Sequence, residues 1–537
     1  MSAEDESAAS RAQPGGSGSR GASWGTSWAT NAALGLALGL VALGVVRLLL
    51  HAPVIDDALI AARYARNLLR HGELAFNPGE RVEGYTSFSW VVATAWLSKL
   101  GISPANGVVV LSFFSGALGA ALLSLWFGRR DGPFTALAGA ASLLVLPGWF
   151  CWAQSGLDAC GFALLWTAAL LAYVHAVTRR RCALNALLAC AAAVTRPEGI
   201  LLPLVWLIHE AAWGRSARRF LWSAGLFALL FGAWFAWRWA YFGSFLPNTY
   251  YAKVGEPGLA LAARGARYLG GFALAALPLL VPSAMALARP RSREIDTARL
   301  LAAATILLAL LGIVATGGDY FPLYRFGVPL LPGLVILAWL GLGRLKARAR
   351  GGLLAAAVLS AFLFGGGVPD FRAEAHHVVA WREMGRALAE RFPRATVAAY
   401  FIGAIGYYSD LPVIDMLGLT DRTIAHRRQV LGRGDPGHEK FDNLYVLDRR
   451  PEVIVLDGAF YQERRPPQLS DFWGAAAPDM YQQPRFQETY EARDLPIGVV
   501  YFRIFVRRAS ARLAEPGGNQ PISRSQPAPA FPFGSPE

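Results

Sequence analysis

Long apolar runs recur along the first two thirds of the sequence, from about residue 31 to residue 367. A run of about 20 apolar residues is long enough to cross the hydrocarbon core of a bilayer as a helix. Hydrophobic residues make up 54% of the 537 residues, and the mean hydropathy is +0.34. A soluble chain of this length is more polar. The sequence therefore predicts an α-helical polytopic membrane protein.

About eleven transmembrane helices are predicted from these runs, at residues 31–50, 107–127, 132–149, 159–178, 182–194, 200–214, 219–242, 268–288, 298–316, 326–343 and 352–367. Clusters of arginine fall in alternate short loops, and such basic loops lie on the cytoplasmic side of a membrane. This orientation requires residues 87–100 to form a re-entrant or interfacial helix that does not cross. The prediction is a multi-pass protein of the plasma (inner) membrane whose other loops face the periplasm or the extracellular side.

The two ends of the chain differ from its apolar middle. Residues 1–30 are rich in Gly, Ser and Ala and predict a disordered cytoplasmic tail, and residues 513–537, rich in Pro, Gly and Ser, predict a second disordered tail. Between residues 370 and 512 the sequence pattern changes and predicts short strands separated by turns, with one segment of helical periodicity. We therefore predict a transmembrane domain at 31–367, with a first outer loop at 51–100, and a soluble α/β domain at 370–512 on the non-cytoplasmic side.

The formal net charge of +14 would suggest nucleic acid as a partner of a soluble protein. Here the basic residues sit in short clusters between apolar runs, so membrane topology explains them and membrane lipids are the expected partner. The four cysteines and the histidines show no zinc-ligand spacing.

The first outer loop concentrates polar chemistry beside the membrane, in the stretch VIDDALIAARYARNLLRHGELAFNPGERVEGYTSF. Asp57 is a candidate N-cap for an amphipathic helix over about residues 58–69, lying on the outer membrane surface. Arg63 and Arg66 share one face of this helix, and arginine suits a phosphate group well. Asp56 could take a proton from a hydroxyl group or hold a divalent cation. The alternative is that both carboxylates only cap the helix and pair with arginines.

Two later outer loops carry further candidates. LPNTYYAK supplies Asn248, Tyr251 and Lys253, although its aromatic residues could form an ordinary interfacial belt. GGDYFPLYR supplies Asp319 and Arg325, although the glycines there could simply end a helix. In TRPEG, the arginine and glutamate predict a local structural pair.

Several of these stretches resemble blocks of the integral-membrane GT-C glycosyltransferases, and most of all the terminal β-(1→2)-arabinofuranosyltransferases of mycobacterial cell-wall arabinan. The blocks occur in the same order and are DDALIAARYARNLLRHGELAFNPGERVEGYTSFSWV, SGLDACGFALL, TRPEGILL, LPNTYYAK, GGDYFPLYRFGVPLLP and GAIGYYSDLPVIDMLGLTD. The resemblance covers roughly residues 50–425. It departs from the family at Asp158, where a glutamate is common.

This resemblance implies a polytopic enzyme that moves a sugar from a polyprenyl-phosphate donor to a cell-envelope glycan or lipid acceptor on the outer face. A pentofuranose such as arabinofuranose is one candidate for the sugar. The resemblance implies that the catalytic carboxylate is Asp56 or Asp57. It implies no particular cofactor, and a divalent cation is one candidate. The residues predicted to bind the donor phosphate or the substrate are Arg63, Arg66, Arg81, Glu83, Tyr85, Asn248, Tyr251, Lys253, Asp319 and Arg325.

Two other functions fit a polytopic chain. A transporter or flippase of a lipid-linked sugar would also bind lipid phosphates, but such proteins place ionisable groups near the bilayer centre and show repeated halves. No repeat is visible here, and the charges gather in outer loops. A receptor or scaffold that acts through residues 370–512 is the third reading.

Overall fold

The computed structural model describes residues 24–50, 54–174, 179–213, 217–254, 258–288, 293–343, 348–456, 458–461, 466–472, 474–497 and 500–510. The predicted C-terminal tail and most of the predicted N-terminal tail lie outside these residues. The first helix begins at Trp24, within the stretch predicted to be a tail.

Within the described residues, the first part of the chain contains sixteen helices: α1 Trp24–Leu50, α2 Asp56–His71, α3 Phe88–Lys99, α4 Pro104–Asp131, α5 Pro133–Leu144, α6 Pro147–Trp152, α7 Ala159–Val174, α8 Arg179–Thr195, α9 Leu201–Trp213, α10 Ala217–Phe242, α11 Asn248–Lys253, α12 Leu259–Leu287, α13 Arg293–Thr316, α14 Leu331–Leu342, α15 Arg348–Phe364 and α16 Val368–Arg391. Short 3-10 turns lie at Pro197–Ile200, Arg325–Leu330 and Gly365–Gly367.

The membrane part contains seven helices that are long and apolar enough to cross a bilayer, and four shorter apolar helices of 10–17 residues, within the described residues. Each of the eleven predicted spans falls on one of these helices. Many of their large side chains, such as Leu48 and Phe362, stay exposed, as expected for surfaces that face lipid. The chain is a multi-pass membrane protein.

Helix α3 occupies the segment predicted not to cross the membrane. It contains 12 residues, which span about 18 Å and fall short of the roughly 30 Å hydrocarbon core. It packs against α2 and α4. Its length agrees with the prediction of an interfacial or re-entrant helix.

The C-terminal part is a small α/β domain with one mixed sheet. Its elements are β1 Val397–Ala399, α17 Ile402–Ser409, β2 Val413–Asp415, α18 Arg422–Ala425, α19 Asn443–Asp448, β3 Val453–Val455, β4 Phe460–Tyr461, α20 Ala476–Gln482, α21 Pro484–Thr489, β5 Tyr490–Ile497 and β6 Val500–Arg507. Strand β1 pairs in parallel with β2 and β3, while β6 pairs antiparallel with β3, β4 and β5. Every residue of β1, β2 and β3 is buried, which suits strands covered on both faces.

Helix α2 differs from its prediction in two respects. It begins at Asp56, its N-cap residue is Ile55, and no side chain caps it, so the prediction of Asp57 as the N-cap is wrong. The helix also does not lie exposed on the membrane surface. It packs against α3 and α4 of the membrane part and against α17 of the C-terminal domain. Both its apolar face and the face that carries the arginines are therefore in contact with protein.

Candidate functional site

A cavity of about 400 Å³ lies where the first outer loop, the ends of several membrane helices and the C-terminal domain meet. Its charged lining residues are balanced, with four acidic and four basic side chains. They are Asp57, Asp158, Glu198, Asp319, Arg196, Lys253, Arg264 and Arg325.

Asp57 is the carboxylate of the first outer loop that lines this cavity. One of its oxygens lies 3.3 Å from Nη1 of Arg325 and 4.0 Å from Nζ of Lys253. Its enclosed position would raise the pKa of the carboxyl, but the positive charges of Lys253 and Arg325 outweigh this and lower the pKa below its ordinary value. Asp57 is therefore ionised at neutral pH and faces open space, with 24% of its side chain exposed.

Arg325 is held by a second carboxylate, that of Asp319. Its Nε and Nη2 atoms lie 2.6 and 3.0 Å from the two oxygens of Asp319, a bidentate geometry that fixes the plane of the guanidinium. Nη1 is then directed towards Asp57. The connecting loop is tight, because Gly318 has φ +75° and a Cβ atom there would lie 2.7 Å from Cβ of Tyr268. The two residues before Arg325 also have positive φ, which is unusual outside glycine.

Lys253, at the end of α11, is the less constrained of the two cations beside Asp57. Its side chain is 31% exposed, against 9% for Arg325, and its one close carboxylate is 4.0 Å away. The ammonium group of Lys253 ends a flexible side chain, so it can move towards a ligand without breaking a bidentate ion pair.

A second charged group lines the cavity around Arg196. The guanidinium lies 3.1 Å from Glu198 and 3.6 Å from Asp158. The sequence predicted the pairing with Glu198 but assigned Arg196 no place in the site. Burial raises the pKa of Asp158, although Arg196 opposes the shift. Asp158 belongs to SGLDA, the block in which the sequence departs from the family pattern.

Neutral polar groups and an apolar wall complete the cavity. The hydroxyls of Tyr85 and Thr249 have no hydrogen-bond partner among the described residues, and both residues line the cavity. An apolar wall of the cavity includes Ala309, Gly312 and Ile313 of α13 and Pro329 and Leu330 of the turn that precedes α14. The cavity is therefore lined by both charged and apolar groups, and the apolar groups suit a hydrocarbon chain.

Asp56, predicted as the base or as a cation ligand, does not line the cavity. It is buried, with 8% of its surface exposed, and its two oxygens accept backbone N–H bonds from Ala404 at 2.6 Å and Gly403 at 3.0 Å. Burial raises the pKa of Asp56 to about 7, while these N–H bonds oppose the shift. Donors pointing at both oxygens leave Asp56 poorly placed to take a proton from a substrate or to bind a metal.

Arg63 and Arg66 also point away from the cavity, towards the C-terminal domain. Arg63 is 1% exposed and donates to the carbonyl oxygens of Phe76 and Leu411, each at 2.7 Å. Arg66 donates to the carbonyl of Tyr407 at 2.6 Å and to Asp410 at 2.7 Å. Both guanidinium groups are thus engaged in the contact between α2 and α17.

The four remaining predicted residues outside the cavity make other contacts. Glu83 forms a buried ion pair with Arg238, and its burial raises its pKa to about 7. Asn248 donates to the carbonyls of Gly418 and Leu419. The guanidinium of Arg81 lies 4.8 Å from the ring centroid of Tyr241, and the ring of Tyr251 stacks 4.1 Å from that of His426.

The cavity thus brings together five of the twelve predicted site residues: Asp57, Tyr85, Lys253, Asp319 and Arg325. Sequence reasoning missed Arg264, which donates to the carbonyl of Gly317 and forms an ion pair with Glu439 of the C-terminal domain at 2.8 Å. Helix α12 begins at Leu259, ahead of the predicted span, so Arg264 is helical and reaches the cavity. No group of three or more His, Cys, Asp or Glu side chains within the described part of the chain is arranged to hold a metal ion.

Comparison with known proteins shows the fold. A crystal structure of ArnT from Cupriavidus metallidurans bound to undecaprenyl phosphate superposes with a TM-score of 0.59 at 15% identity, covering 91% of this chain and 99% of that one. The apo structure of the same protein gives a TM-score of 0.59 at 16% identity, with coverages of 92% and 100%. The chain therefore has the fold seen in these ArnT structures. It is mostly helical, with many apolar helices and a small sheet domain at its C-terminus.

Sequence comparison adds less. Residues 370–505 match the model of a domain of unknown function (DUF8728), which corresponds to the α/β domain with part of α16. No curated protein sequence matches the chain. Because one fold can carry several functions, the reaction has to be argued from the cavity.

Proposed function

We propose that this protein is a GT-C glycosyltransferase that takes a sugar from a polyprenyl-phosphate donor. The observation that carries the proposal is the cavity itself. A carboxylate, Asp57, stands beside two cations, Lys253 and Arg325, in an enclosed space that also has an apolar wall. A lipid-linked sugar phosphate has the matching three parts: an anion, a hydroxyl-bearing sugar and a hydrocarbon chain.

The donor phosphate would bind at Lys253 and Arg325. A sugar phosphodiester carries one negative charge, and the released polyprenyl phosphate carries up to two. Cations beside the phosphate stabilise this growing charge, which is the main electrostatic task of the reaction. Lys253 is the stronger candidate, because Asp319 already holds Arg325 in a fork.

Asp57 would act as the general base. The oxygen of the acceptor hydroxyl forms a bond to the anomeric carbon, and the bond from that carbon to the phosphate oxygen breaks. The electron pair of the broken bond leaves with polyprenyl phosphate, while the hydroxyl proton passes to Asp57. A lowered pKa keeps Asp57 ionised before the donor binds. When the donor phosphate draws Lys253 towards itself, the carboxylate loses part of its ion pair and becomes a stronger base.

The sugar and the lipid have their own places in this proposal. Hydroxyls of the sugar would meet Tyr85 and Thr249, whose hydroxyls lack a partner among the described residues. The polyprenyl chain would follow the apolar wall formed by α13. The ArnT structure bound to undecaprenyl phosphate supports a lipid of this class.

The donor and the acceptor are proposed from the resemblance of the sequence blocks. Arabinofuranose is the first sugar to test, and the acceptor would be a cell-envelope glycan or lipid on the outer face of the inner membrane. Residues 370–512 would then lie outside the cytoplasm, with the cavity open to the periplasm or the extracellular side.

The test uses purified protein in nanodiscs, a panel of polyprenyl-phosphate sugars, and envelope extract as the source of acceptor, with and without EDTA. Release of polyprenyl phosphate from one donor, with its sugar recovered on acceptor, supports the proposal and identifies the sugar. Loss of release in EDTA would show that a divalent cation takes part. Folded protein that moves a lipid-linked sugar across the bilayer without cleaving it would contradict the proposal and favour the flippase.

A further inference from the structure

Helix α2 carries charged side chains whose partners lie on one short helix of the C-terminal domain. Asp56 accepts hydrogen bonds from the N–H groups of Gly403 and Ala404, at the start of α17. Arg66 donates to the carbonyl of Tyr407 near its end, and Arg66 and Arg70 both pair with Asp410, which follows its last residue. The two helices therefore run side by side in the same direction.

This arrangement matches the charges of α2 to the dipole of α17. The N-terminus of a helix has unpaired N–H groups and a partial positive charge, and its C-terminus has unpaired carbonyls and a partial negative charge. The carboxylate of Asp56 meets the first end, and the guanidinium of Arg66 meets the second. The arginines of the first outer loop thus have a partner in the protein.

Small residues let the two helices approach closely. A Cβ atom on Gly403 would lie 2.0 Å from the backbone oxygen of Asp56, and one on Gly406 would lie 2.5 Å from the guanidinium of Arg63. Both distances are far below van der Waals contact. The spacing of these two glycines along α17 places them on the face that meets α2.

The first turn of α2 has no side-chain cap and is positioned by contacts on two sides. The N–H of Ile55 donates to the carbonyl of Ser155 in the membrane part at 3.0 Å, and Asp56 is bound by α17. Neighbouring residues of a helix point about 100° apart, so a contact that fixes the direction of Asp56 also fixes that of Asp57.

We infer that Asp56 is a positioning residue through which the C-terminal domain sets the orientation of Asp57 in the cavity. The inference rests on the proposed function, in which Asp57 is the base. It gives the domain of unknown function a role in the reaction: its helix α17 acts as a fixed support for the catalytic turn. The domain is then part of the active site and not a separate module.

The experiment measures kcat and KM for the cleaved donor in the full-length protein. In Asp56→Asn, an amide N–H₂ replaces one acceptor oxygen and faces a backbone N–H donor, so the first turn of α2 shifts. We expect kcat to fall about 100-fold, since a displacement of about 1 Å of a reacting group has this effect. KM and the affinity for undecaprenyl phosphate should stay unchanged, because Lys253 and Arg325 are untouched.

Two further variants separate positioning from general damage. Gly403→Ala keeps both carboxylates and should lower kcat in the same way, by pushing α17 away from Asp56. The control is Asp410→Asn, which weakens the other end of α17, where the ion pairs are exposed; its kcat should equal that of the wild type. Thermal unfolding and hydrogen exchange of residues 402–409 would show that each variant is folded and which end of α17 has loosened.

The outcomes distinguish this inference from the proposed function. If the wild type cleaves no donor, the proposed function fails and this inference fails with it. If the wild type is active and Asp56→Asn keeps its kcat, the positioning role alone is overturned. An equal loss of kcat in Asp410→Asn would also overturn it, because the effect would then reflect general weakening of the interface.

Discussion

The two sides of α2 use the same residue types for different purposes. On the cavity side, Asp57 pairs directly with the side chains of Lys253 and Arg325, which line the cavity with it. On the side of α17, Asp56 and Arg63 meet backbone N–H and carbonyl groups with little room between the helices. A charge whose partners are backbone groups of a packed helix holds structure together. A charge whose partners are side chains that line a cavity can exchange one of them for a ligand.

The largest expected effect on folding lies on the α17 side. Arg63→Met should lower the free energy of unfolding by about 3 kcal/mol, because it removes the donor of the buried Leu411 carbonyl and one of the two donors of the Phe76 carbonyl. Arg70→Met on the same helix should have less than about 1 kcal/mol effect, since both members of its pair with Asp410 are more than half exposed. Thermal unfolding in detergent would measure both. If both substitutions lowered the free energy of unfolding equally, burial would not explain how much each arginine contributes to stability.

On the cavity side, Lys253→Met should weaken binding of undecaprenyl phosphate by roughly 10- to 150-fold, because a charge-assisted contact is worth roughly 1.5–3 kcal/mol. Stability should change little. Arg81→Met is the matched control, because Arg81 lies on the ring of Tyr241 outside the cavity lining. Titration in nanodiscs would measure the two affinities. If Arg81→Met weakened binding as much as Lys253→Met, the assignment of the phosphate site to the cavity would be contradicted.

Lys253→Met should also change the pH dependence of the reaction. Lys253 helps to lower the pKa of Asp57, and a base acts only when deprotonated. The acid limb of kcat/KM reports the free enzyme, so it should lie below the ordinary pKa of an aspartate, which is about 3.9, in the wild type. In the variant it should move to higher pH. If the acid limb of the pH profile did not move, Lys253 would not affect the pKa of Asp57.

The smallest expected effect is a pH dependence of the stability of the fold, caused by Asp56. Its pKa is raised to about 7 in the folded protein, above the unfolded value of about 3.9. The folded state therefore binds the proton more tightly, and this stabilisation is present at low pH and lost as pH rises through 7. Between pH 5 and pH 8 the unfolding temperature should fall more in the wild type than in Asp56→Asn. Identical slopes would refute the linkage.

Much of the fold followed from hydropathy, because recurring apolar runs, seven of which correspond to helices long enough to cross a bilayer, leave few alternatives to a polytopic helical protein. The alternation of basic loops predicted a helix at residues 87–100 that does not cross the membrane, and a short helix, α3, lies there. That it does not cross stays a prediction. The start of α12 was missed, because its first residues lie outside the apolar run, and with it the place of Arg264.

The candidate site was predictable only in part. Asp319 and Arg325 are close in sequence and meet in one loop. Arg63 and Arg66 were assigned to a phosphate because their partners, Leu411 and Tyr407, lie more than 300 residues away. Neighbouring residues of a helix face different directions, so local pattern could not show which of Asp56 and Asp57 faces the cavity. That depended on how α17 docks.

The most direct test of the account is the release of polyprenyl phosphate by Asp57→Asn, measured in a single turnover with the donor that the wild type cleaves. We expect the rate to fall about 1000-fold, within the range for loss of a general base, while undecaprenyl phosphate still binds and the protein stays folded. Release at the wild-type rate would contradict the assignment of Asp57. If Asp56→Asn instead lost all activity in the same assay, Asp56 would be restored as the base.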